Sequence, residues 1–104
     1  MSVHKLSPDA VHAALKDLPE WQIESDKLHR TFRFADFKTA FQFMTLCAER
    51  AEELDHHPEW FNVYSTVTVQ LVTHSVQGIS ELDFELARSM NAFAAPLLKS
   101  KRLT

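Results

Sequence analysis

Twice along this chain two β-prone runs are separated only by a short turn. Trp21–Ile23 meets Leu28–Phe34 around the turn residues Glu24, Ser25 and Asp26, and Trp60–Tyr64 meets Thr66–His74. Runs joined so tightly can only pair antiparallel, because a parallel pair needs a crossover of a dozen or more residues. In the first pair Leu28, Phe32 and Phe34 share one face with Arg30 as a polar exception, while His29, Thr31 and Arg33 share the wetter one. In the second, Val67, Val69 and Leu71 alternate against Thr68, Gln70 and Val72.

Three apolar stripes at helical spacing surround these hairpins. Ser7 reads as an N-cap with Pro8 at the first helical position, and Val11, Ala14, Leu15 and Leu18 follow before Pro19 stops the helix near Leu18. Asp36 caps the longest helix, whose stripe is Phe37, Ala40, Phe41, Met44, Ala48 and Ala51, widened by Phe43 and Cys47, all assigned to the core. Pro58 disfavours helical geometry at His57, so this helix stops by about His56. Gly78 then breaks the pattern. Ser80 and Asp83 resemble a capping box that opens a last helix along Leu82, Leu86, Met90, Phe93 and Leu97. The expected fold is therefore α+β, in the order α-β-β-α-β-β-α, with a four-stranded antiparallel sheet and three helices packed on one face.

A chain of 104 residues has room for a single domain, here residues 1–104, with no linker, repeat or low-complexity stretch. Its net charge of −3 offers no field for nucleic acid or an anionic bilayer, and no stretch has the roughly 20 apolar residues of a membrane span. Cys47 is the only cysteine, so no internal disulfide can form; with no signal-like apolar run near the N-terminus, a soluble protein of the cytoplasm is expected. Eight Phe and two Trp are many to hide in so small a core, which makes self-association an expectation. The basic end from Lys99 to Thr104 is expected to be solvated.

Chemistry concentrates in Glu52-Glu53-Leu54-Asp55-His56-His57-Pro58-Glu59-Trp60, joined by Tyr64 and His74, which together hold three of the six histidines. Adjacent histidines point about 100° apart on a helix and 180° apart on a strand, so they converge on one small molecule only where the backbone bends, and Pro58 is the expected source of that bend. Imidazole both donates and accepts protons near neutral pH, which suits general acid and base work. Trp60 and Pro58 offer flat apolar surfaces, and Asp55 could orient a ring N–H, so a polar heteroaromatic ligand is implied. A His pair before proline is more often an exposed helix end, and a lone histidine at a strand end is more often structural. His4, His12 and His29 have no comparable neighbours. Metal binding competes in kind, yet adjacent His56 and His57 lack the one-face spacing of helical metal motifs. Cys47, within an apolar stripe, reads as a small buried hydrophobe.

The run Glu52, three residues, His56-His57-Pro58, then Tyr64, His74 and Asp83 resembles the signature of the pterin-4a-carbinolamine dehydratases. Phe41-Gln-Phe-Met-Thr45 and Asp55-His-His-Pro-Glu-Trp-Phe-Asn-Val-Tyr64 are similar to that family too, and the resemblance runs from Leu6 to about Ala94. It implies a dehydratase that converts 4a-hydroxytetrahydrobiopterin, or a related pterin, to the quinonoid dihydropterin plus water, recycling the pterin of aromatic amino acid hydroxylases. It further implies His56, His57 and His74 as the catalytic set, Asp55, Trp60 and Thr73 as pterin-binding residues, and Glu52, Pro58, Tyr64 and Asp83 as supporting motif residues. No metal and no cofactor is implied, the pterin being the substrate, and the expected assembly is a homodimer or homotetramer. The alternative is a non-catalytic dimerisation or assembly cofactor that binds a protein partner; retention of all three histidines favours the enzyme.

Overall fold

The computed structural model describes residues 3–99. The expected solvated end falls outside them, apart from the Lys99 backbone. The elements are α1 (Pro8–Leu15), β1 (Gln22–Glu24), β2 (Lys27–Arg33), α2 (Phe37–Leu54), β3 (Glu59–Val63), β4 (Thr66–Leu71) and α3 (Glu81–Lys99), with a 3₁₀ turn at His74–Val76. The four strands form one antiparallel sheet in the order β1-β2-β4-β3, the expected α+β architecture. Ser25 and Asp26 both take positive φ, the type I′ geometry whose twist suits a two-residue hairpin.

Register sets the two faces of the sheet. Leu28 pairs with Leu71, Arg30 with Val69 and Phe32 with Val67, and these point to the helices; His29–Gln70, Thr31–Thr68 and Arg33–Thr66 alternate onto the open face. Arg30 is tolerated on the helix side because Asn91 of α3 accepts from its Nη1 at 2.6 Å and its guanidinium lies 4.1 Å over the Phe32 ring. Asn91 also accepts from Trp21 Nε1 at 2.8 Å, which ties the start of the first hairpin to α3. Phe32 and Phe34 pack on Phe43 of α2 with centroids 4.6 and 5.0 Å apart. Cys47 is fully buried beside them, and burial pushes its thiol up to about 12, so it is a packing group.

Several boundaries and one face differ from the sequence reading; β2 and β3 each begin and end one residue earlier than the expected Leu28–Phe34 and Trp60–Tyr64. Helix α1 stops at Leu15, and the chain reaches Leu18 through i→i−3 bonds (Lys16 to Ala13, Asp17 to Ala14, Leu18 to Leu15), tightened ahead of Pro19. Strand β1 is shifted by one residue and includes Glu24, because the two-residue turn needs only Ser25 and Asp26. Helix α2 ends at Leu54, within the limit of about His56 that Pro58 sets. Strand β4 ends at Leu71, and Thr73 instead makes an isolated bridge with Gly78 that closes the His74 turn. The buried stripe of α2 is Ala40, Phe43, Cys47 and Ala51, whereas Phe37 and Phe41 are 47% and 54% exposed and pack on each other. Small residues at 40, 47 and 51 share the buried face of α2 with Phe43, a face that meets α3 and the sheet, and Phe37 and Phe41 lie outside it.

Candidate active site

The C-terminus of α2 organises the site. Asp55 adopts a left-handed conformation (φ 49°, ψ 45°), its N–H bonds to the Ala51 and Glu52 carbonyls, and His56 N–H bonds to Ala51 O, a Schellman-type ending. The bend therefore lies at Asp55, three residues before the proline expected to supply it; Pro58 only carries the chain extended into β3. One consequence is that the adjacent histidines diverge. His56 turns inward and is 8% exposed, while His57 turns outward.

Each of the three histidines expected at the site is bonded through Nε2 to a different carboxylate. His56 meets Asp83 of α3 at 2.6 Å, His57 meets Glu52 of α2 at 2.5 Å, and His74 meets Glu59 of β3 at 2.9 Å. An ionised carboxylate can only accept, so in each pair the ring Nε2–H donates and Nδ1 is left for other work. No protein group bonds His56 Nδ1 among the described residues, so His56 can act on a ligand only through that atom. These pairs also account for acidic residues that are unfavourable beside the negative end of the α2 dipole: Glu52 serves His57 and Glu53 pairs with Arg50 at 3.1 Å.

Asp83 is fully buried and fully bonded. Its Oδ2 accepts from Thr73 Oγ1 at 2.8 Å and from Ser80 N–H at 2.9 Å, while Ser80 Oγ accepts from Leu82 N–H at 3.2 Å and lies 2.6 Å from Thr73 Oγ1. Since Thr73 donates to Asp83, the Ser80 hydroxyl donates to Thr73. The capping box read in the sequence thus also anchors a histidine: Asp83 sits in the first turn of α3, where the helix dipole favours an anion, and its other oxygen orients His56.

These groups surround a cleft of about 570 Å³, lined by Asp55, His56, His57, Thr73, His74 and Ser75 with Leu54, Val72, Leu82 and Val3, a size suited to a small heterocycle. The Asp55 side chain makes no hydrogen bond within the described residues and is available at the rim. Trp60 does not line this cleft; it pairs with Val69 and packs against the core from the helix side of β3. Tyr64 is exposed in the β3–β4 turn with φ 50°, and Asn62 Nδ2 holds that turn through the Tyr64 and Thr66 carbonyls. Among the described residues, no three His, Cys, Asp or Glu side chains converge on a metal position. A second cleft of about 420 Å³, between the N-terminal segment, α1 and the first hairpin, holds none of the three histidine–carboxylate pairs.

The sequence reading included Glu59 in the chemistry-bearing segment without giving it a role, and gave Ser80 a role only as a cap. Glu59 was open to discovery through register, because a hairpin turning at Tyr64–Ser65 pairs Glu59 with Gln70 and brings it near His74. Ser80 carried a cap signal only, and its contact with Thr73 depends on the loop between them.

A family profile described as Pterin 4 alpha carbinolamine dehydratase matches residues 4–93. A protein of Chelativorans sp. (strain BNC1), provisionally named pterin-4-alpha-carbinolamine dehydratase, is 50% identical over 97 residues, 91% of this chain and 99% of its own length. One of Solibacter usitatus (strain Ellin6076) with the same provisional name is 48% identical over 91 residues, 88% of this chain and 96% of its own. A crystal structure described as a transcriptional coactivator/pterin dehydratase from Brucella Melitensis superposes with a TM-score of 0.87 at 48% identity, covering 88% of this chain and 100% of that one. With the fold, the histidine signature and these relatives in agreement, the chain belongs to the pterin 4 alpha carbinolamine dehydratase family.

Proposed function

We propose that this protein dehydrates 4a-hydroxytetrahydrobiopterin, or a closely related 4a-carbinolamine, to the quinonoid dihydropterin, recycling the pterin spent by aromatic amino acid hydroxylases. The observation that carries the reading is the gathering of three carboxylate-bonded histidines around one cleft of heterocycle size. In the reaction an acid protonates the 4a-hydroxyl, which leaves as water, a base removes the proton of the neighbouring ring N–H, and the nitrogen pair closes a C=N bond. Electrons and protons balance without an oxidant, reductant, metal or cofactor. His56, His57 and His74 supply the acid and base between them, Asp55 contacts the pterin at the rim and Thr73 from the cleft wall, and Trp60 supports the site from the core side of β3.

The protein acts in the cytoplasm as a homo-oligomer in this reading. Phe61, Val63 and Tyr64 on and beside the edge strand β3, and Phe37 with Phe41 on α2, are exposed apolar surface suited to burial against further copies. A protein-binding role is the second reading. It is favoured by the coactivator description of the Brucella Melitensis structure and by the same exposed phenylalanines, and it would leave the histidine cluster untouched. The deciding experiment follows the decay of freshly generated 4a-hydroxytetrahydrobiopterin by stopped flow: the protein should accelerate it, and identical decay with and without protein would leave the binding role.

A further inference from the structure

His74 differs from His56 in how it is held. It opens the 3₁₀ turn after β4, its side chain is 77% exposed, and among the described residues its only bond through the ring is Nε2 to Glu59 Oε2 at 2.9 Å. An exposed imidazole with one tether would sample several rotamers, a poor arrangement for a group that must meet a proton in a fixed direction. Glu59, however, is anchored from a third element. Its other oxygen, Oε1, accepts from Lys27 Nζ at 2.6 Å, and Lys27 is the first residue of β2, directly after the type I′ turn. Lys27 is 28% and Glu59 39% exposed, so this pair is better shielded than the histidine it supports. The Glu59 carboxyl lies below its usual range, held there first by the Lys27 hydrogen bond and also by His74.

We propose that Glu59 is a positioning residue for His74 and that Lys27 fixes the rotation of the Glu59 carboxylate, so that the chain Lys27–Glu59–His74 presents His74 Nδ1 to the substrate. The geometry supports a division of labour: Oε1 is fixed by the ammonium, which leaves Oε2 aimed at the ring. As a contribution to stability an exposed chain like this is worth little, because screening and side-chain entropy offset most of the attraction. Its effect belongs to orientation. The inference rests on the dehydratase reading, in which His74 is one of the reacting groups.

The test is a double-mutant cycle on dehydration kinetics, paired with ¹³C relaxation of the His74 ring, which needs no activity. Glu59→Ala should lower kcat about 10- to 100-fold with KM changed less than about 3-fold, Glu59→Gln should recover part of the loss, and Lys27→Met should fall between wild type and Glu59→Ala. In a His74→Ala background, Glu59→Ala should cost less than about 2-fold, because it acts through the missing ring. The His74 ring should be ordered in the wild type and mobile in Glu59→Ala. An equal kcat loss in both backgrounds, or a ring equally ordered in both proteins, would overturn the positioning role. If the wild type accelerates nothing, the dehydratase reading fails and the ring relaxation alone decides whether Glu59 positions His74.

Discussion

Asp83 shows how one side chain serves fold and site together. One oxygen completes the start of α3 through Ser80 N–H and Thr73 Oγ1, and the other takes the proton-bearing nitrogen of His56. Asn would keep the shape, but its amide must point at a donor on one side or the other and leave a buried clash. Asp83→Asn is therefore expected to destabilise the fold by about 2–3 kcal/mol, read as a lower urea midpoint at unchanged m-value; a midpoint equal to wild type would mean that the buried network is not bonded as described. The importance of Asp83 was legible in the sequence, but its partner was not. His56 and Asp83 are 27 residues apart and meet only because α3 docks beside the end of α2. Asp55 was read as a ligand contact, yet its left-handed backbone is what parts His56 from His57. No periodicity reports that conformation, since Asp is one of the few residues to take it at low cost.

At the scale of elements, the caps and hairpins could be read because their signals are local. Asp36 Oδ1 accepts from Thr39 N–H at 2.8 Å as the sequence implied, and the Thr39 side chain first and this backbone bond second hold its carboxyl below its ordinary value. A depressed carboxyl contributes stability above its unfolded value and loses it as pH falls through the folded one. Asn caps as well without titrating, so the stability gap between wild type and Asp36→Asn should shrink from pH 6 to pH 3, below the ordinary value near 4. A gap constant across that range in urea denaturation would contradict it. The face of α2 was legible only in part, because the helix carries two apolar stripes and only the sheet it packs on decides between them. Phe43→Ala should accordingly cost about 3–5 kcal/mol, whereas Phe41→Ala, measured under dilute conditions, should cost less than about 1 kcal/mol. Comparable losses would mean that Phe41 is buried in the folded unit.

The whole molecule leaves its conspicuous apolar groups on two surfaces, the β3 edge with its turn and the outer face of α2. A 12.0 kDa chain that exposes Phe61 at 68% and Tyr64 at 65% is expected to sediment as a dimer or tetramer, and a single monomer species at micromolar concentration would contradict the proposed assembly. The composition already pointed that way, since so many aromatics exceed what one small core can cover; which of them stay outside follows from sheet order and helix rotation, which composition does not encode. In the proposed function, carboxylate-held histidines catalyse dehydration at the cleft. The most direct test is the single-turnover stopped-flow rate of 4a-carbinolamine dehydration for wild type, His56→Ala and His74→Ala. The wild type should accelerate the reaction, with kcat/KM lowered about 10- to 1,000-fold in each variant; variants as fast as the wild type would contradict catalysis by these histidines.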